Sequence, residues 1–254
     1  MIIRCKDKKG NINYGILKKD EVHLITGNIF LDYHVTDKTL RVEDVTILAP
    51  TDPSKVVCIG LNYLDHANEM NLKIPKEPLL FLKPSTAVVA TKEEIIYPEQ
   101  TKQVEYEAEL AIVIGKEAKA ISEEEAKDAI FGYSIANDVT ARDLQFSDGQ
   151  WTRGKSFDRF CPIGPGIVRD VDPNTLDISL YMNGERKQHS NTKNLIFNVE
   201  FLVSYVSQVM TLLPGDVIIT GTPHGVGPVY PGDEMVVKIQ DIGELRNKLV
   251  KQIR

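Results

Sequence analysis

The stretch QVEYEAELAIVIG, residues 103–115, constrains the fold of this chain more than any other. It alternates like a β-strand and then runs into Ala-Ile-Val-Ile, so its second half belongs in a core, yet its first half places Glu105, Glu107 and Glu109 at every second position. Side chains at i and i+2 of a strand point the same way, with backbones roughly 6.6 Å apart. Like charges so placed repel, and burying them without partners is costly. The pattern therefore demands positive charge nearby, unless the three glutamates form the solvated, lysine-paired face of an edge strand.

The rest of the chain is also read as strands. Residues 1–50 give short alternating runs such as NINYGIL and EVHLI around Gly and Asp turns, a small N-terminal β-rich domain, and LAPTDPSK then reads as a connection. From there a second domain, 51–254, is expected to carry strands near 55–60, 79–83, 104–115, 130–138, 162–169 and 176–182, and more after 215. MNGER reads as an Asn-Gly hairpin, and two Pro-Gly-Asp turns feed strands. Helices are few. One is expected over 62–72; another opens at Ser122, with Glu125 placed for a capping box. A third fits NVEFLVSYVSQVMTLL through the stripe Phe201, Val203, Tyr205, Val206, Val209 and Leu212. The expected class is α+β, β-dominated.

Composition excludes several functions. A net charge of −6 from dispersed residues leaves no basic footprint for nucleic acid or an anionic membrane. Cys5, Cys58 and Cys161 are odd in number and lack CxxC spacing, which argues against disulfides or a thiolate zinc site and fits a reducing, cytoplasmic compartment. No export signal or run of 18 apolar residues is visible. Glycine-rich dinucleotide fingerprints, Walker loops, Gly-x-Ser-x-Gly elbows, kinase signatures and His-Glu-x-x-His are absent.

What remains is a set of oxygen donors and cations. Asp138 ends the apolar run of YSIANDVTARD, with Arg142 and Asp143 just beyond. Together with paired glutamates it makes a set suited to a hard cation such as Mg²⁺, Mn²⁺ or Ca²⁺. His66 and Glu69 in GLNYLDHANEM are three apart, so on a helix the glutamate can orient the imidazole, or the two form a surface pair. Lys155, in WTRGKSFDRF, can neutralise developing negative charge or lie in solvent. ITGTPHGVGP concentrates Gly221, Thr222, Gly225 and Gly227, so its backbone N–H groups and the Thr222 hydroxyl can face an anion, or the loop is merely tight.

Read in order, GLNYLDHANEM, PLLFLKPSTAVV, VEYEAELAIVIG, GYSIANDVTARDLQ, QWTRGKSFDRFCPIGP and GDVIITGTPHGVG closely resemble the fumarylacetoacetate hydrolase family over about residues 55–240. The resemblance implies a mixed β-roll-like catalytic fold, usually a homodimer, with Mg²⁺ or Mn²⁺ bound. It implies metal ligands at Glu107, Glu109 and Asp138, leaving Glu105 outside the set as a supporting or solvent-facing residue. It further implies catalytic His66, Glu69 and Lys155, and substrate contacts at Lys83, Gln145 and Thr222. Two positions depart from the family's pattern. Leu61 stands where acylpyruvase-like members often have Arg, removing a guanidinium for a second substrate carboxylate; His224 stands where a small residue is common, and either narrows the pocket or faces solvent.

The retained His66 and Glu69 point to hydrolysis of a C–C bond in small 2-oxo acids of the acylpyruvate type, through a metal-stabilised enolate. The alternatives are a 2-hydroxyhepta-2,4-diene-1,7-dioate isomerase or a decarboxylase of its tricarboxylate precursor or of oxaloacetate, which share that enolate. A relative that binds metal and 2-oxo acid without turnover is a further alternative.

Overall fold

Apolar runs bounded by Gly, Pro and Asp become strands where the sequence places them. Val56–Gly60, Leu79–Lys83, Ile130–Asn137, Cys161–Val168 and Asp177–Met182 are all strands, and Val217–Ile219, Glu234–Ile239 and Gly243–Lys251 follow. The computed structural model describes residues 1–65 and 73–251. Most of the helix expected over 62–72 therefore lies outside the described residues.

Among the described residues a 12-stranded sheet forms the backbone of the molecule. Its central strand, Ala108–Ile114, is hydrogen-bonded to Ile130–Asn137 on one side and to Val217–Ile219 on the other. The strand is buried on both faces, which is why it reads as a continuous apolar run. Leu110, Ile112 and Ile114 join Ile178, Leu180, Val237 and Ile239 of a second, five-stranded sheet, whereas Ala111 and Val113 pack with Val56, Cys58, Cys161 and Ile163 on the opposite side. Period-two alternation thus divides one strand between two cores.

The N-terminal strands Ile2–Asp7, Ile12–Lys18, Glu21–Gly27 and Tyr33–Arg41 form an antiparallel meander. Their sheet continues into the large one through the pair Ile2–Ile167. The stretch 49–55 crosses between the two parts without regular structure.

Local chemistry sets the helices and turns. Ser122 caps the Glu123–Ala129 helix in a reciprocal box: Glu125 N–H donates to Ser122 Oγ at 3.3 Å and Ser122 N–H to Glu125 Oε2 at 2.8 Å. Asn198 caps Val199–Val209 by accepting from Phe201 N–H. The buried apolar stripe of that helix is Val199, Leu202, Val203 and Val206; of the residues expected in it, Phe201 and Tyr205 are only half-buried and Val209 is 58% exposed. Asn183 and Gly184 link Asp177–Met182 to Glu185–Asn191 with φ of 51° and 84°, the two positive values a primed hairpin turn requires.

Candidate metal and active site

The glutamate stretch is not one uninterrupted strand. Val104–Tyr106 belongs to a small three-stranded sheet and Ala108–Ile114 to the large one, and Glu107 stands alone at the crossing. Side chains replace the ladder partners lost there: Glu107 N–H donates to Asn137 Oδ1 at 2.9 Å and Ala108 N–H to Gln188 Oε1 at 3.0 Å. Glu107 O in turn accepts from Asp138 N–H at 2.9 Å, which fixes Asp138 at the end of the neighbouring strand.

This crossing brings Glu107, Glu109 and Asp138 together. Each offers one carboxylate oxygen, and the three oxygens lie within 4.8 Å of one another, all buried. Neither the lysine-paired edge nor the solvated face considered for the glutamates is what forms, because Ala108–Ile114 lies inside the sheet.

The positive charge that the spacing demands is present. Lys155 reaches the centre from the short Thr152–Lys155 helix, its Nζ 2.9 Å from Glu107 Oε2 and 2.7 Å from Asp138 Oδ2. Gly154 permits that approach: a Cβ there would lie 2.8 Å from Gln145 N. Lys83 Nζ sits 2.6 Å from Asp138 Oδ1 and donates to the carbonyls of Val139 and Phe160. Arg142 donates through Nε to Glu105 Oε2 at 2.6 Å, through Nη2 to Glu107 Oε1 and through Nη1 to Gln145 Oε1.

Four carboxylates, with Glu105 included, face these three cations. Among the described residues Glu109 has no cation in hydrogen-bond contact, and it accepts from Gly221 N–H at 2.6 Å. Gly221 takes a φ of 95° in doing so, and a side chain there would strike Asn62. Burial, reinforced by the charges of Asp138 and Glu107, raises the Glu109 pKa well above the usual carboxylate value. Burial also works against ionised Glu107, but Lys155 and Arg142 outweigh it and hold that carboxyl below its usual range. For Lys155, burial opposes the charge and Asp138 and Glu107 more than offset it, so the group is an ammonium.

The donor set fits a hard divalent cation. All three candidate ligand atoms are carboxylate oxygens. Among the described residues the buried Asp138 Oδ1 receives no aligned hydrogen bond even though Lys83 lies close, and burial with the neighbouring Asp138 and Glu107 charges disfavours ionised Glu109, a cost that a bound cation would offset.

A cavity of about 140 Å³ opens onto this centre. Its walls include Glu107, Glu109, Asp138, Arg142, Gln145, Lys155 and Thr222, together with Ile59, Leu61, Phe81, Phe146 and Trp151. Lys155 Nζ lies 5.1 Å above the Phe81 ring, which meets Trp151 edge-on. Of the sequence-derived candidates, Lys155, Gln145 and Thr222 line this cavity with the three carboxylates. Lys83 does not. Expected at the substrate, it is fully buried behind Asp138 and acts there as a counter-ion. His66 and Glu69 lie outside the described residues.

Glu105 is buried and paired with Arg142, so its solvent-facing alternative is not what forms. His224 does not line the cavity; its half-exposed ring places Nδ1 3.3 Å from Asp65 Oδ2. Arg142, Asn137, Gln188 and Trp151 were not among the sequence candidates. Arg142 stands in the sequence just beyond Asp138, but its role in orienting Gln145 and Glu107 is visible only in the fold. Gln188 is a different case: it donates to Thr222 Oγ1 and Pro223 O from 80 residues beyond Ala108, and no local pattern announces it.

A family model described as fumarylacetoacetate (FAA) hydrolase C-terminal matches residues 55–250. The chain belongs to the fumarylacetoacetate hydrolase family. A second model, described as Rv2993c-like, N-terminal, matches residues 2–50. Family relatives include an uncharacterized protein of Methanocaldococcus jannaschii, 54% identical over 85% of this chain and 92% of its own. A mitochondrial oxaloacetate tautomerase of Rattus norvegicus is 46% identical over 81% of this chain and 70% of its own. The solved 2-hydroxyhepta-2,4-diene-1,7-dioate isomerase of Mycobacterium marinum superposes with a TM-score of 0.92 at 42% identity, covering 100% of this chain and 99% of the other. The β-dominated α+β architecture is thus the family's fold. No helix among the described residues is long and apolar enough to cross a membrane.

Proposed function

We propose that this chain is a divalent-metal-dependent isomerase that interconverts keto and enol forms of small 2-oxo acids. The observation that carries this reading is the buried Lys155 ammonium on the cavity wall, held by two of the three clustered carboxylates. Glu107, Glu109 and Asp138 would hold Mg²⁺ or Mn²⁺. When bound, the metal supplies Lewis acidity toward a chelating 2-oxo acid and lowers the cost of an enolate.

The chain's own residues supply the rest. Lys155 presents a fixed positive charge where negative charge develops on the substrate oxygen, without the reorganisation that water would need. Gln145 and Thr222 offer hydrogen-bonding groups to the substrate's polar atoms, and Ile59, Phe81 and Trp151 give the cavity an apolar wall. Isomerisation moves one proton: a C–H bond beside the carbonyl breaks, its electron pair forms the new C=C bond while the carbonyl π pair moves to oxygen, and a proton returns at oxygen or at a conjugated carbon. Nothing is hydrolysed.

The tautomerase and isomerase named among the relatives support this reading over C–C hydrolysis. Decarboxylation of a 2-oxo diacid uses the same enolate and stands behind isomerisation. Hydrolysis remains the second reading because the sequence retains His66 and Glu69, which can activate water. A substrate panel with Mn²⁺ decides between them. Loss of enol absorbance from oxaloacetate, or conversion of 2-hydroxyhepta-2,4-diene-1,7-dioate, with acetylpyruvate left intact is the expected outcome. Acetylpyruvate cleavage without either isomerisation overturns it.

A further inference from the structure

Glu105 is the carboxylate of the 103–115 stretch that the metal set leaves unused, and it is only 8% exposed. A carboxylate tolerates such burial only where partners compensate it. Oε1 accepts from Gln103 Nε2 at 2.6 Å and Oε2 from Arg142 Nε at 2.6 Å. The backbone beneath is held from both edges, with Glu105 paired to Thr140 on one side and Pro228 on the other.

What Glu105 holds is a rigid fork. A guanidinium is planar, so fixing Nε also fixes the directions of Nη1 and Nη2. Those two nitrogens contact Gln145 and Glu107. Glu105 does not line the cavity, yet it sets the orientation of the group that touches both a cavity glutamine and a carboxylate of the metal set.

Charge sharpens the consequence. Glu107 already accepts from Lys155 and Thr140 in addition to Arg142. With Glu105 gone, Arg142 would be balanced by Glu107 alone and would draw that carboxylate toward itself. It would also leave a less compensated positive charge beside the carboxylate cluster, where a like-charged metal is repelled strongly at low dielectric.

We infer that Glu105 is a positioning residue for the cation site: by neutralising and orienting Arg142, it keeps Glu107 available to a divalent metal. The inference rests on the reading of Glu107, Glu109 and Asp138 as metal ligands. Its scale is that of partners one shell removed from a metal, whose loss typically weakens affinity about 10- to 100-fold.

The experiment is calorimetric titration of the chelator-stripped full chain with Mn²⁺ alone, with circular dichroism to confirm folding. Glu105→Gln keeps an acceptor for Nε but removes the charge, whereas Glu105→Ala removes both. The expected result is Mn²⁺ affinity about tenfold or more weaker in Glu105→Ala and intermediate in Glu105→Gln. In an Arg142→Ala background, Glu105→Ala should add less than about twofold, because the group it acts through is gone. Affinity unchanged in folded Glu105→Ala, or in Glu105→Gln should the alanine variant not fold, overturns the inference and leaves the metal reading intact. A full loss persisting in the Arg142→Ala background also overturns it. Absence of Mn²⁺ binding by the unmodified chain overturns the metal reading and the inference together.

Discussion

Lys83 Nζ lies 2.6 Å from Asp138 Oδ1, and neither side chain reaches solvent. A buried pair of this kind need not stabilise the fold more than apolar residues of the same size would, but removing one partner strands the other. Lys83→Met leaves Asp138 with Lys155 as its one remaining ion pair among the described residues, so the metal-free protein should be destabilised by less than the roughly 3–5 kcal/mol of a fully stranded buried charge. Because Mn²⁺ supplies a replacement cation, its addition should raise Tm more in the variant than in the unmodified chain. Equal increments, read by differential scanning fluorimetry, would show that Asp138 does not face the metal.

Glu107→Ala and Asp138→Ala each remove one of the three proposed metal ligands. Each should abolish detectable Mn²⁺ binding and metal-dependent isomerisation, while Glu105→Ala should weaken both without abolishing them. Comparable, complete losses in all three variants would mean the ligand set is assigned wrongly.

The raised pKa of Glu109 links metal binding to pH. A carboxyl whose folded pKa lies above its unfolded value adds stability that is fully present below the unfolded pKa and lost as pH rises through the folded one. Metal binding must displace that proton. Mn²⁺ affinity should accordingly rise with pH, and the Tm increment from Mn²⁺ should grow with it. Calorimetry in two buffers of different ionisation enthalpy should detect the released proton.

Asp216 has the opposite sign. Burial raises its pKa, but hydrogen bonds from Lys55 and Ser54 and from Leu213 N–H outweigh burial and hold it below the usual carboxylate range. Its contribution is present above the unfolded pKa and lost as pH falls through the depressed folded value. Asp216→Asn should cost about 2 kcal/mol near neutral pH by urea titration, and the difference should shrink below about pH 4.

Gln188→Ala leaves the buried Ala108 N–H without its acceptor and Thr222 Oγ1 without its donor. A loss of about 1–3 kcal/mol is expected. Turnover should fall as well, because the cavity loop and the strand crossing lose their tie.

Much of the local structure was legible. The strand Leu79–Lys83, the Ser122 capping box and the Asn183–Gly184 turn follow from residue type and period within a few positions of chain. Glu107, Glu109 and Asp138 were legible as oxygen donors by type, and the family's motif order singled them out. The break at Glu107 was not legible, because it depends on Asn137 and Gln188, 30 and 80 residues away from the N–H groups they satisfy.

Sequence by itself therefore determined the strands, the caps, the turns and the kind of ligand this chain can offer. Only the tertiary structure decided that Lys83 stands behind Asp138 and not at the cavity, and that Glu105 holds Arg142 and not water. The physical reason is that periodicity fixes the face on which a side chain emerges, whereas charge compensation depends on what another part of the chain places opposite that face.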